Sequence, residues 1–212
     1  MFEFLRRRKR WPAPSTDDIR RRARVLVVDD SGFAYKSLFK RDGYSVDSWR
    51  DIVDLAKLET GYYDVILLDI QGVGAKQSAD QGFGVLRHIK ATAPTQLVVA
   101  YSNADWSLKY KPFFDEADAV LPKSADYVEF KRVVDELLLR RFSLEYFVEH
   151  IVRLMPAHSG NLSRVRTAAE KAILKGDSSR LTSVLRREKV DEETLNRILQ
   201  VTQVGIGVLQ LL

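Results

Sequence analysis

Apolar and polar positions follow two regimes along the chain. Between residues 25 and 141, short apolar runs alternate with segments of helical period; beyond residue 142 only the helical period remains. Val25-Leu26-Val27-Val28 and Tyr63 to Asp69 are near-continuous apolar runs, as expected of strands covered on both faces. Tyr44 to Trp49 alternates as a second strand, Gln96 to Tyr101 forms a fourth ending at Ser102, and Ala119-Val120-Leu121 a fifth ending at Pro122-Lys123. Helices fit between them. Ser31 caps one carrying Phe33, Leu38 and Phe39, which stops near Asp42-Gly43. Asp51 to Thr60 has Ile52, Leu55 and Leu58 on one side. A Gly-rich loop precedes a helix with Phe83, Leu86 and Ile89. A short helical segment is expected over 106–116. Ser124 caps a last helix with Val128, Val133, Leu137 and Leu138 inward. Five strand–helix units with short links predict a parallel sheet with helices on both sides.

The remaining segment, 142–212, predicts an all-helical module. Phe142 to Met155 carries Phe147, Ile151 and Leu154 and stops before Pro156; Asn161 to Lys175 ends at Gly176; Ser178 to Arg187 is a third. Asp191 caps the final helix from Glu192, which becomes apolar nearly all round beyond Val201. Such a helix must bury itself, in this chain or in a second copy.

Charge changes the picture at the N-terminus. Residues 1–24 hold nine Lys/Arg against three Asp/Glu, and 142–212 hold ten against eight, so the net charge of +5 leaves the middle of the chain acidic. Residues 1–23 therefore read as a basic arm. Its apolar tip Met1 to Leu5, the block Arg6 to Arg10 and Trp11 suit peripheral contact of residues 1–11 with an anionic membrane. Contact with nucleic-acid phosphates and a solvated tail are the competing readings. The absence of Cys excludes disulfides and thiolate metal sites. No apolar run is long enough to span a bilayer, and no secretory apolar region follows the basic start, which together predict a cytoplasmic protein, with membrane contact through the arm as one of its competing readings.

Chemistry converges where the strands end. In a doubly wound sheet the carboxyl ends of strands one, three, four and five meet in one crevice. They carry Asp29-Asp30, Asp69, Ser102 and Lys123. Carboxylates so close repel unless a cation neutralises them, and hard oxygen donors suit Mg²⁺. Between a cation and Lys123, Asp69 would be a nucleophile toward a phosphoryl group.

This set of residues, in this order and on these strands, resembles the receiver domain of two-component response regulators over about residues 24–141. The resemblance implies a flavodoxin-like α/β fold. It implies that a sensor histidine kinase or phosphotransfer protein donates a phosphoryl group to Asp69. Asp30 and Asp69 would bind Mg²⁺ directly, Asp29 through water, and the Gln71 backbone carbonyl would complete the protein ligands. Ser102 would be the switch hydroxyl and Lys123 the phosphate-facing lysine. Such a protein is a phosphoacceptor with at most intrinsic autophosphatase activity rather than an enzyme. Its output would pass through residues 142–212 by dimerisation or a protein partner.

Three features depart from that pattern. The loop Gln71 to Gly82 is several residues longer, and reads as a flexible insertion at the pocket mouth. The position of the family's switch aromatic holds Val120. The segment after Ser102 carries Trp106, Tyr110, Phe113 and Phe114, either local core or a partner surface. Alternatives stand beside the main reading. Gly72-x-Gly74 lacks the third glycine and helix opening of a nucleotide loop. A haloacid-dehalogenase-like phosphatase would want a second Asp two residues after its nucleophile, where Asp29 is followed by Ser31 and Asp30 by Gly32. A DNA-binding output could be forced onto Ser178–Arg187 and the helix from Glu192, but that helix offers only Arg197 as a cation, so DNA is disfavoured. A degenerate receiver acting as a constitutive interaction protein is the last alternative. His88 and His150 fall on helices as surface or boundary residues, and His158 stands apart.

Overall fold

A computed structural model describes residues 14–103, 114–157 and 161–210. Its centre is a five-stranded, all-parallel sheet built from β1 (Arg24–Val28), β2 (Ser45–Trp49), β3 (Val65–Asp69), β4 (Leu97–Ser102) and β5 (Ala119–Pro122), in the spatial order β2-β1-β3-β4-β5. Every strand returns in the same direction, so each link must cross a face of the sheet. Alternation along the strands then assigns their side chains to two layers. Val25, Val27, Val65, Leu67, Leu97, Val99 and Tyr101 face one layer, with α2 (Lys36–Arg41) and α5 (Tyr127–Arg141). Leu26, Val28, Ile66, Leu68, Val98 and Ala100 face the other, with α3 (Leu55–Glu59) and α4 (Gly82–Thr92). Both faces are covered, as the near-continuous apolar strands require. This is the expected doubly wound architecture.

Several local expectations are corrected. Residues 16–22, read as part of the arm, form helix α1 (Thr16–Arg22), capped by the Ser15 side chain. Ile19 is buried against the sheet layer, and Arg20 reaches Asp135 on α5 through Nε and Nη2 (3.0 and 2.7 Å). Residues 1–11, with the proposed membrane tip, lie outside the described residues. The helix expected from Ser31 begins only at Lys36, because Ser31 is engaged with Asp29. The helix expected from Asp51 begins at Leu55 with Asp54 as its cap, because Asp51 Oδ1 accepts from the N–H groups of Ile52 and Gly74. Asp126, not Ser124, caps α5, and Val128 is 71% exposed instead of inward. The expected helix over 106–116 falls largely outside the described residues. Its described end, Phe114, is buried with its ring 5.4 Å from that of Phe83.

The last four helices are α6 (Leu144–Leu154), α7 (Leu162–Lys175), α8 (Ser179–Arg187) and α9 (Glu192–Gln210). They pack as a bundle, with α9 against α6 and α7 and α7 against α8. The apolar stretch of α9 is buried within the chain through Val201, Gly205, Ile206, Val208 and Leu209. The bundle also shares a core with the sheet. One cluster of buried residues runs from Ile19 and the strands through Leu137 and Phe142 to Leu209. It docks beneath the amino ends of the strands. There the buried Arg141 guanidinium and the Tyr146 hydroxyl donate to the Thr95 carbonyl (2.7 and 2.9 Å), and Arg141 Nε stands 3.6 Å from Asp64 Oδ1. Gly61, at φ +71, lets the chain pass against Val204 and Arg141. No helix among the described residues is long and apolar enough to cross a membrane.

Candidate functional site: an acidic pocket at the strand ends

Strand register places the acids together. β1 and β3 are adjacent, with Val28 opposite Leu68, so Asp29 and Asp69 follow side by side. Asp69 is paired with Tyr101 on β4, and Ser102 with Pro122 on β5, which brings Lys123 to the same end. One carboxylate oxygen from each of Asp29, Asp30 and Asp69 lies within 4.8 Å of the others. That is the spacing of a shared divalent cation, and three hard oxygen donors fit Mg²⁺. The expected metal residues Asp29, Asp30 and Asp69 are thus brought together. Gln71 is placed beside them, its N–H donating to Asp69 Oδ1 at 3.2 Å.

Asp69 is only 1% exposed. Lys123 Nζ donates to its Oδ2 at 2.6 Å and lies 3.5 Å from Asp29 Oδ1. Burial pushes the Asp69 carboxyl above its usual range, against the opposing effect of the Lys123 and Gln71 bonds. Lys123 is held above its ordinary value; burial works against the ammonium, and the bond to Asp69 outweighs it. Asp29 is also buried, and burial acts to raise it. Bonds from Ser31, Tyr101 and the Gly32 N–H prevail and hold it below the usual carboxylate range. The site therefore contains one carboxylate kept firmly ionised and one whose charge is costly without further positive charge.

Ser102 is buried at the end of β4, and its carbonyl accepts from the Lys123 N–H at 3.0 Å. The backbone of the β1–α2 loop is held by Arg50, whose Nη1 donates to the Asp30 carbonyl at 2.8 Å. Gly72, at φ +84, runs so close to Asp30 that any side chain there would meet its carboxylate.

The long loop after β3 is a folded strap, and the expectation of a flexible insertion is corrected. Gly72 N–H donates to Gln81 Oε1 (2.9 Å), Gly74 N–H to Asp51 Oδ1 (2.6 Å), and Gln77 Nε2 to the Ile52 carbonyl (3.4 Å). Val73, within the loop, is fully buried. Asp51 and Ile52 are distant from the loop in sequence, which is why a Gly-rich composition alone suggested mobility.

Two contributors were not singled out from sequence. Tyr101 donates its hydroxyl to Asp29 Oδ2 at 2.7 Å, and Arg50 supports Asp30 from β2's end. Tyr101 stood in an apolar run and read as strand core; only the strand register shows that its hydroxyl reaches the pocket. Val120 is part-buried on β5. Of the histidines, His88 is exposed and meets Glu59 at 2.8 Å, and His150 is part-buried with Nδ1 2.8 Å from the Tyr146 carbonyl; His158 lies outside the described residues.

No protein-family model and no curated protein matches the chain. Solved structures similar to it include response regulator receiver domains. A CheY-like response regulator receiver domain protein from Methanospirillum hungatei JF-1 shares 23% identity, with 56% of this chain and 95% of that one covered and a TM-score of 0.48. The response regulator TrrA from Thermotoga maritima, solved with Mg²⁺ and beryllofluoride, shares 23% identity over 54% and 98% at a TM-score of 0.41. A CheX–CheY complex with beryllofluoride and Mg²⁺ from Borrelia burgdorferi shares 23% identity over 54% and 88% at 0.45.

Proposed function

We propose that the chain is a response regulator whose Asp69 accepts a phosphoryl group from a phosphohistidine of a sensor kinase or phosphotransfer protein. The observation that carries this reading is the geometry at Asp69: two further carboxylates within 4.8 Å and an ammonium at 2.6 Å. A carboxylate oxygen of Asp69 attacks phosphorus as the N–P bond of the donor breaks, and the released imidazole nitrogen takes a proton. Asp29, Asp30 and Asp69, with the Gln71 carbonyl, would hold Mg²⁺, which supplies positive charge to the phosphoryl oxygens as the bond changes partners. Lys123 moves from Asp69 Oδ2 to a phosphoryl oxygen, keeping its charge beside the same site. The Ser102 hydroxyl would donate to another. In this reading the chain is a phosphoacceptor, with at most slow intrinsic hydrolysis of its own phosphoryl group.

Output through residues 142–210 is a protein–protein event in this reading. A DNA-reading role for α9 is disfavoured by its first turns, where Glu192 and Glu193 are exposed and Arg197 is paired with Glu193 at 3.6 Å. Intact mass spectrometry with Mg²⁺ and a small phosphodonor such as acetyl phosphate tests the proposal. One phosphoryl adduct, absent in Asp69→Asn, supports it; an unmodified wild-type chain overturns it.

A further inference from the structure

We propose that Tyr101 is a positioning residue of the acidic pocket: its hydroxyl fixes Asp29 for the cation, and its ring ties that carboxylate to α5. The inference rests on the receiver reading above and extends it to a residue outside the three acids, the serine and the lysine.

The argument begins with how Asp29 is satisfied. Its Oδ1 accepts from the Ser31 N–H (2.9 Å), the Ser31 hydroxyl (2.7 Å) and the Gly32 N–H (2.9 Å), and lies 3.5 Å from Lys123 Nζ. That oxygen is saturated. Oδ2 has one donor within the described residues, the Tyr101 hydroxyl at 2.7 Å. A carboxylate oxygen has room for about two partners. Tyr101 therefore occupies one direction of Oδ2 and leaves one for a cation or its water. Without it, Asp29 would be anchored through Oδ1 alone, and Oδ2 would lose the donor that sets which of its directions faces the pocket.

The ring makes this hydroxyl a rigid donor. Tyr101 is 2% exposed, and its ring packs edge-on against Phe33 (6.1 Å between centroids) and Phe130 (5.7 Å). Phe33 and Phe130 in turn meet at 5.3 Å. Phe130 belongs to α5, whose far end places Arg141 beneath the sheet in the bundle. A packed aromatic group thus connects the pocket to the helix that leads into the last four helices. Val120 on β5 cannot serve in that capacity, because it has neither a ring nor a hydroxyl. The neighbouring strand supplies both at Tyr101.

Partners that orient a metal-holding group typically change metal affinity about 10- to 100-fold when removed. Tyr101→Phe keeps the ring and its packing and deletes only the donor. Isothermal titration with Mg²⁺ is performed on the full chain for wild type, Tyr101→Phe, Asp29→Asn and the double variant, with Tyr35→Phe as a control. Tyr35 lies in the same aromatic layer but donates to the Ala125 carbonyl, away from the acids. The expected result is that Tyr101→Phe weakens Mg²⁺ about 10-fold or more, that Tyr35→Phe leaves it within twofold, and that Tyr101→Phe has no further effect once Asp29 is Asn. A general loss of packing would not disappear in the Asp29→Asn background. Wild-type affinity in Tyr101→Phe, or equal losses with and without Asp29, overturns the role of Tyr101 while leaving the receiver reading in place. A wild-type chain that binds no Mg²⁺ overturns both.

Discussion

Asp69 shows how a single side chain can be costly to the fold and necessary to the site. Burial raises its carboxyl above the usual range, so at neutral pH its ionised form is less favourable in the folded chain than in the unfolded one. Asparagine has nearly the same shape and no charge; its one amide oxygen keeps the Lys123 bond, while its NH2 group replaces the oxygen that took the Gln71 N–H. Asp69→Asn is therefore expected to stabilise the metal-free protein by about 0.5–2 kcal/mol at pH 7, the usual scale for relief of strain at a functional site. The difference fades with acid: as pH falls through the raised pKa of Asp69, the wild-type carboxyl becomes neutral and the gap closes. On the proposed reading Mg²⁺ inverts the order, because the variant lacks one of the three carboxylates that would hold the ion. Thermal denaturation of both proteins across pH, with and without Mg²⁺, checks all three statements. At this scale Asp29, Asp30, Asp69, Ser102 and Lys123 were legible in the sequence because each ends an apolar run. Tyr101 was not, since nothing in Leu97-Val98-Val99-Ala100-Tyr101 tells a core tyrosine from one whose hydroxyl reaches past β3 to Asp29.

Among the elements, the long ones followed hydrophobic period and the short ones followed polar partners that period does not see. α1 has a single buried residue, Ile19, and no repeating face. Its only sequence sign was Ser15 three residues ahead of Asp18, a cap pattern inside a basic stretch. What holds it is Asp135, bonded by Arg20 and by the Tyr44 hydroxyl, with Lys131 at 3.6 Å. Burial acts to raise the Asp135 carboxyl, yet the bonds from Arg20 and Tyr44 hold it below the usual range. A depressed carboxyl contributes stability above its unfolded value of about 3.9 that is lost as pH falls through the folded value. Asp135→Asn should cost about 1–3 kcal/mol at neutral pH and flatten the acid limb of the stability curve below about pH 4. An unchanged acid limb would show that α1 is held by Ile19 alone. The strap after β3 follows the same logic. Asp51 leaves its expected helix to bond Gly74 N–H, so Asp51→Ala should open the loop. Limited proteolysis would then cut within 71–82 faster than in wild type, with a stability loss of about 1–2 kcal/mol. Equal cleavage rates would place the strap's anchor elsewhere, at Gln81 or the buried Val73.

For the whole molecule, the sequence marked a change of regime near residue 142, and the structure turns that change into a continuous body. The apolar stretch of α9, which could have paired two copies, is used inside the chain. The junction at Arg141 and Phe142 is fully packed. Arg141 and Asp64 are both inaccessible, and burial pushes the Asp64 carboxyl up and the Arg141 guanidinium down, each partly offset by the other's charge. Asp64 Oδ2 accepts from the Arg24 N–H at 2.8 Å, tying β1 to the entry of β3 at the same place. A buried pair of this kind is costly to break and easy to replace. Removing one partner strands the other's charge and costs about 3–5 kcal/mol, whereas apolar residues of similar volume at both positions are often neutral or better. Arg141→Ala should therefore destabilise the protein severely, while Asp64→Leu combined with Arg141→Met should recover most of the loss. Since sheet layer and bundle share one core, wild type should unfold in a single calorimetric transition whose measured and van't Hoff enthalpies agree. Two transitions, or an Arg141→Ala variant that loses less than about 1 kcal/mol, would mean the bundle is tethered rather than docked. A signal from Asp69 would then reach it by release. If one transition is found, a change at Asp69 must instead travel through packed structure, about five strand residues or roughly 17 Å from Asp69 to Asp64 along β3, with α5 as the parallel route.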